Sequence, residues 1–290
     1  MPKKRAPAES RKVSETRPPS PKTASAPLIT LTTDIGFAYA AQMKGVILGI
    51  APDARLIDIT HDIQAQNVRE AAFVLLTTLH RFPGGVHLCI VDPGVGTKRR
   101  GLVLECGAHT LIGPDNGVLV PAARALGMRK TWAIKRDYEK GASRTFHGRD
   151  VFAPVAARLA NGEKPDGFCE PAEKIHEMDF GRADAKKGVA EALVVYIDRF
   201  GNVVTNLGQR EFAGAFPGAA EIGVQVEGGR EFRAEIAQTY GEAHSGIVVL
   251  PSSSGFVEIA SPGGSAQRLT GSAPGMKVWF KQHVGSGPPP

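Results

Sequence analysis

The sequence predicts an α/β protein: an N-terminal α/β domain with a central, mainly parallel sheet, and a smaller, barrel-like C-terminal β-rich domain. Three observations predict it. Apolar, β-branched runs alternate with helix-period segments in the first half of the chain. Those runs are apolar throughout, as strands covered on both faces are. After Gly181, short β-like runs are instead separated by Gly, Pro, Asn and Ser, the pattern of a small antiparallel sheet or barrel. A chain of 290 residues is long enough for one large domain or two modest ones with real cores.

In order, 28-LITLTT-33 reads as a buried strand, and Met43, Val46, Ile47 and Ile50 give residues 39–50 a helical period. The run 55-RLIDIT-60 is a second strand. Val68, Ala71, Ala72, Leu75, Leu76 and Leu79 line one side of a helix over 67–80, and 86–91 is a third strand. Two short strands follow at 102–106 and 109–113, and a helix from after Gly148 to about Ala160. The second half offers strands at 192–198, 203–207, 222–226, 247–250 and 256–260. The expected division is a disordered basic tail at 1–26, an α/β domain at 27–180, a β domain at 188–283 and a loose end at 284–290.

Charge excludes one class of function. Residues 1–26 carry seven Lys or Arg and two acids, whereas the remaining 264 hold 28 basic and 27 acidic side chains. The +6 net charge therefore belongs mostly to the tail, and no nucleic-acid-binding face is expected on the body. No apolar run is long enough to cross a membrane. Prolines 2, 7, 18, 19 and 21 argue against an amphipathic transit helix, and no apolar core follows the first lysines. Three unpaired-looking cysteines (Cys89, Cys106, Cys169) suit a reducing, cytoplasmic setting and neither a disulfide framework nor a zinc site.

Ligands of open parallel sheets bind at the carboxyl ends of the strands. Polar residues recur at those ends: Thr32, Thr33, Asp34 and Gly36; Asp58, Thr60, His61 and Asp62; then 92-DPGVGTKRR-100, 113-GPDNG-117 and 145-TFHGRD-150. Each alone is compatible with a turn. Three chemistries compete for the set. A phosphate cradle would use the glycines with Lys98, Arg99 and Arg100, but lacks P-loop spacing. A metal site would use Asp34, Asp58, His61, Asp62, Asp92, His147 and Asp150, but a nearby Arg competes with a cation. An acid/base site would hold an Asp ionised beside an Arg with a His in reach.

The motifs TTDxG, MKGVI, DITH, VDPGVGTxRR, GPDNG, TFHGRD and DxFGNxxTN occur in one order over about residues 28–270. In that order and spacing the chain resembles the S-adenosyl-L-methionine (SAM) hydrolases, or SAM hydroxide adenosyltransferases, relatives of the fluorinases and chlorinases. The resemblance implies hydrolysis of SAM to adenosine and L-methionine. It also implies the two-domain fold and a homotrimer with active sites between the N-terminal domain of one chain and the C-terminal domain of the next. It implies neither metal nor cofactor, SAM being the substrate, and no membrane or nucleic-acid partner. By motif, Asp92, Arg99 and His147 match the family's catalytic Asp, Arg and His. Asp34 matches its ribose-hydroxyl ligand. Asp198 and Asn202 match substrate contacts from the second domain, and Ser253, Ser254 and Glu258 fall in a further contacting segment. Where the halogenases carry Tyr and Tyr-Ser, this chain has Asp92 and His147-Gly148, which moves the implied reaction from halogenation to hydrolysis. Three departures stand out: TTDIG for TTDFG, a shorter stretch from Asp34 to Met43, and no aromatic in 65-AQNV-68.

The chemistry is coherent without a cofactor. A sulfonium activates C5′ of the ribose, and methionine leaves as a neutral thioether. Water is a poor nucleophile, so the protein must orient and partly deprotonate it. The competing readings are a SAM-dependent halogenase, a SAM- or adenosine-binding protein with little turnover, and a metal-dependent phosphohydrolase.

Overall fold

In a computed structural model, residues 26–243 and 246–282 are described. The basic tail, but for Ala26, and the loose end lie outside them. The first half runs β1 (Leu28–Thr33), α1 (Gly36–Ile50), β2 (Arg55–Thr60), α2 (Val68–Thr78), β3 (Gly85–Ile90), β4 (Gly101–Cys106), β5 (His109–Pro114), α3 (Val120–Ala125), β6 (Lys130–Ile134), α4 (Ala153–Ala160) and β7 (Cys169–Pro171). These strands form one seven-stranded sheet in the order β2-β1-β3-β5-β4-β6-β7. The pairings β2–β1, β1–β3 and β3–β5 are parallel and the remaining three antiparallel. Five strands consequently point one way, and the mainly parallel sheet expected from the apolar runs is present.

Helices cover both faces. Met43 and Ile47 of α1 pack with Val155 and Ala156 of α4 on one side, and Ala71, Leu75 and Leu79 pack with Ala122 and Ala123 on the other. The order β2-β1-β3 sends the chain to opposite sides of β1 in successive crossovers. The carboxyl ends of β1 and β3 therefore border the crevice where open α/β sheets bind ligands. The outermost strand β2 departs from expectation, with Arg55 and Ile57 exposed. Among the described residues no further strand covers it, so Leu56 and Ile59 are only half buried.

The second half runs β8 (Asp184–Lys186), β9 (Val189–Ile197), β10 (Val203–Gly208), α5 (Gln209–Ala215), β11 (Glu221–Val226), β12 (Glu231–Ile236), β13 (Ile247–Pro251), β14 (Phe256–Ala260), α6 (Ala266–Thr270) and β15 (Lys277–Lys281). Pairing of β9 with β10 closes seven of these strands into a barrel, with β8 attached to β9. One pairing, β12–β13, is parallel. The two halves share a core: Phe73 of α2 stacks on Tyr196 of β9 at 4.8 Å and meets Phe180 edge-on at 5.9 Å.

A buried imidazole gives this sheet an acid-sensitive point. His87 of β3 lies 2.9 Å from Thr30 Oγ1 through Nδ1, and 2.9 Å from His109 Nδ1 through Nε2. Burial, reinforced by His109, pushes its pKa from 6.5 down to about 4. The folded state therefore refuses a proton that the unfolded chain accepts. The stability this represents is complete above pH 6.5 and is lost as pH falls towards about 4. A difference of that size is worth roughly 3 kcal/mol. Denaturant titrations should show a His87→Gln protein losing less stability than wild type over this window. Parallel pH profiles would contradict the assignment.

Candidate active site

Asp92 and Arg99 belong to one turn after β3. The guanidinium grips the carboxylate with two hydrogen bonds, Nε to Oδ1 at 3.0 Å and Nη2 to Oδ2 at 2.5 Å. Both side chains are more than nine-tenths buried, and the Arg99 guanidinium also lies over the Phe152 ring, 5.1 Å from its centroid. The turn needs glycine at position 96, where φ is +76° and an added Cβ would lie 2.4 Å from the Arg144 carbonyl oxygen. That close approach sets the turn against the segment carrying His147.

His147 precedes a π-helical turn, Gly148–Phe152, which leads into α4. The sequence led us to expect an ordinary helix from Gly148. The Ala153 N–H reaches back five residues to Gly148 O, and Pro154, which has no N–H, cannot close an α-turn onto Asp150. Asp150 braces the turn, accepting from the Ser143 N–H and from the Arg149 guanidinium. His147 Nδ1 lies 3.2 Å from Arg99 Nη2. A guanidinium only donates, so Nδ1 accepts and the neutral ring carries its proton on Nε2. Burial first, then the Arg99 charge, holds the His147 pKa below 6.5, against the opposing pull of Glu139 and Asp92. Arg99 Nη1 is buried with no hydrogen-bond partner in the protein. A buried N–H left unpaired costs about 1–3 kcal/mol, so Nη1 is ready to donate to an added oxygen.

Asp34 follows β1, beside the strand that leads to Asp92. Its Oδ2 accepts the Gln66 N–H at 2.7 Å. Asp198 and Asn202 lie in the turn between β9 and β10 and hold each other: the Asp198 carboxylate accepts from the Phe200 N–H, the Asn202 N–H and the Asn202 side-chain amide, each at 2.9 Å. This leaves Phe200 at the turn's tip, 78% exposed. Glu258 is buried and accepts from Tyr240 Oη at 2.5 Å. Burial, its largest influence, raises the Glu258 pKa despite that bond. Ser254 hydrogen-bonds Ser252, and Ser253 is exposed. Among the described residues no hydrogen bond or ion pair joins this barrel group to Asp92, Arg99 or His147.

Four of the five carboxylates entertained as metal ligands have cations of their own: Asp92 has Arg99, Asp58 has Lys44, Asp62 has Arg199 and Asp150 has Arg149, whereas Asp34, among the described residues, accepts only the Gln66 N–H. Among the described residues no group of three or more His, Cys, Asp or Glu is arranged to hold a metal ion. Asp115 of GPDNG is a clamp: it is buried, paired with Arg100, and accepts the His176 N–H at 2.7 Å. The three cysteines are buried free thiols. Among the described residues no helix is long and apolar enough to cross a membrane. Sequence reasoning gave no part to Gln66, Phe200 or Tyr240, and outside the metal reading took His61 as structural or exposed; the DITH motif was the available signal for His61.

Residues 29–169 match the N-terminal domain model of the SAM hydroxide adenosyltransferases, and residues 192–279 the C-terminal domain model. The chain is similar to the (R)-S-adenosyl-L-methionine hydrolase of Salinispora tropica, 39% identical over 88% of this chain and 98% of that one. It is also similar to the enzyme of the same name from Methanocaldococcus jannaschii, 36% identical over 83% and 91%. A crystal structure of an uncharacterized conserved protein from Thermotoga maritima superposes with a TM-score of 0.81 at 33% identity, covering 88% of this chain and all of that one.

Proposed function

The chain belongs to the SAM hydroxide adenosyltransferase family, and from that premise we propose that it hydrolyses SAM to adenosine and L-methionine. The observation that carries the reading is the buried Asp92–Arg99–His147 group with one guanidinium nitrogen unpaired. Arg99 Nη1 donates to the attacking oxygen, which gives one proton to solvent and reacts as hydroxide in line with C5′, and His147 accepts from Nη2 through Nδ1, fixing the guanidinium so that Nη1 stays free for that oxygen. Asp92 fixes the guanidinium plane. As the C5′–O bond forms, the C5′–S bond breaks and its electron pair returns to sulfur, neutralising the sulfonium. Adenosine keeps one proton of the water and the other passes to solvent. Arg99 stabilises the oxygen while it has hydroxide character, in a site where burial strengthens that contribution. Asp34 takes the ribose hydroxyls and fixes C5′, the positioning part of the rate.

In the same reading Asp198, Asn202, Ser253, Ser254 and Glu258 meet substrate from the barrel of a neighbouring chain in a homotrimer, with Phe200 as an exposed apolar surface beside them. Two features support self-association. The α1 helix exposes Phe37, Tyr39, Leu48 and Ile50 as well as burying Met43 and Ile47, and helices apolar on every side are normally covered. Among the described residues no hydrogen bond or ion pair joins the barrel group to Asp92, Arg99 or His147 within one chain. The step needs no metal or cofactor, because the leaving group needs no acid and Asp92 beside the attacking oxygen is already paired with Arg99. Buried free thiols support a cytoplasmic site of action.

Chromatography of SAM incubations containing chloride or fluoride tests the function. Adenosine and methionine should form in equal amounts and independently of halide. A halogenated nucleoside, or no adenosine above the spontaneous rate, would contradict it. The pH profile tests His147. The neutral ring is the active form, so kcat/KM should be flat near neutrality and fall with acid, its midpoint below 6.5. Protonation at Nδ1 would set a second cation against Arg99. An acid limb centred at or above pH 7 would remove His147 from this part.

A further inference from the structure

The 58-DITH-61 segment at the end of β2 has no part in the chemistry above, yet its histidine is among the most buried polar groups in the protein, at 1% exposure. His61 Nδ1 lies 2.9 Å from Thr33 Oγ1. Nε2 lies 3.1 Å from Asp58 Oδ1, off the axis of a good hydrogen bond. Lys44 Nζ donates to the other Asp58 oxygen at 2.5 Å, and the Phe37 ring packs edge-on against the imidazole at 5.1 Å. Burial opposes ionisation of Asp58, but the Lys44 bond and the His61 ring beside it outweigh it and hold its pKa below the ordinary carboxylate value. An ionised carboxylate only accepts, so the ring proton sits on Nε2 and Nδ1 accepts the Thr33 hydroxyl proton. Thr33 Oγ1 in turn accepts the Ile35 N–H at 3.5 Å. The His61 carbonyl accepts the Gly36 N–H at 3.2 Å. One buried residue therefore grips both ends of the turn that carries Asp34.

The opposite side of Asp34 is also held. Its Oδ2 takes the N–H of Gln66, the one non-glycine among the described residues with a left-handed backbone, φ +65°. Strain of that kind persists only where the surroundings over-determine it. Among the described residues no hydrogen bond reaches Oδ1 of Asp34. The carboxylate is thus anchored through one oxygen and open at the other.

We propose that His61 is a positioning residue for nucleoside recognition: the Asp58–His61–Thr33 relay fixes the Thr33–Gly36 turn so that Asp34 presents its open oxygen to the ribose hydroxyls. The proposal rests on the reading of Asp34 as the ribose ligand. Calorimetric titration of the full chain with adenosine and with 2′-deoxyadenosine tests both. Wild type should prefer adenosine. His61→Leu should lower that preference about tenfold, the scale of one hydrogen bond to a charged group, and should raise the KM for SAM more than it lowers kcat. His61→Asn, whose amide oxygen can stand in for Nδ1, should recover part of the preference. A merely structural defect would weaken both nucleosides alike and leave their ratio unchanged. Should His61→Leu not fold, Asp58→Ala at the half-exposed end of the relay must shift the ratio in the same direction. A folded relay variant with the wild-type ratio overturns the proposal. A wild-type protein without the preference, or an Asp34→Ala protein that keeps it, overturns the ribose reading instead.

Discussion

An Arg99→Lys protein is expected to fold and to turn SAM over about 10²–10³-fold more slowly, the usual cost of losing one donor aimed at a developing oxyanion. Lysine keeps the charge, so Asp92 is not left alone in a buried site. Removing the charge altogether, as in Arg99→Met, would cost about 3–5 kcal/mol of stability as well. What lysine cannot reproduce is the fork. Arg99 uses Nε and Nη2 on the two oxygens of Asp92, shares Nη2 with His147 Nδ1, and keeps Nη1 unpaired. An ammonium is a point donor on a flexible stem and can serve only part of that set. The loss should fall on kcat and kcat/KM together, because the missing interaction belongs to the transition state. Steady-state kinetics with a thermal melt checks both halves. Near-wild-type turnover in Arg99→Lys would mean that charge alone suffices and that the fork geometry is incidental.

Gly96→Ala is expected to cost about 2–4 kcal/mol and most of the activity. A left-handed backbone costs an L-residue about 1–2 kcal/mol. The new Cβ would also stand 2.4 Å from the Arg144 carbonyl oxygen, a backbone atom with little freedom to yield. The turn holding Asp92 and Arg99 must then move away from the segment ending at His147, and the 3.2 Å contact between Arg99 and His147 is lost. Gly107→Ala is the control. Its φ is +67°, but nothing lies within 4 Å of an added Cβ, so it should show the backbone cost alone and full activity. Denaturant titration of the pair separates strain from collision. Equal stability in the two variants would show that the close approach carries no energy.

Much of this architecture is legible in the residues, for physical reasons that differ from element to element. Strands β1 and β3 read clearly because both faces are buried and their residues are mostly apolar or β-branched. The edge strand β2 was found by the same rule, although its exposure was not, since covering by a neighbour is a property of the sheet and not of the segment. The strands Lys130–Ile134, Glu231–Ile236 and Lys277–Lys281 escaped because they are short and mix charged with apolar residues. Asp92 and Arg99 stand seven residues apart on one turn, so their pairing was open to inference from spacing. His147 lies 48 residues further along, and only the family motif tied it to them before the fold did. The π-helical turn after it is a local change of helix type that no periodicity announces. Asp198 and Asn202 were singled out as substrate contacts; within the chain they also brace one another, which residue type alone does not reveal. His61 entered only the metal reading, because its contacts with Thr33 and Asp58 exist only once β1 and β2 lie side by side.

The central claim is that water, held by Arg99 in its Asp92–Arg99–His147 group, attacks C5′ of SAM. Incubation with SAM in ¹⁸O-labelled water, followed by mass spectrometry of the nucleoside, tests it most directly. The account predicts adenosine carrying one ¹⁸O at the 5′ position, formed with wild type and reduced to background with Arg99→Lys. Adenosine formed enzymatically without the label, or label incorporated at an undiminished rate in the Arg99→Lys protein, would contradict it.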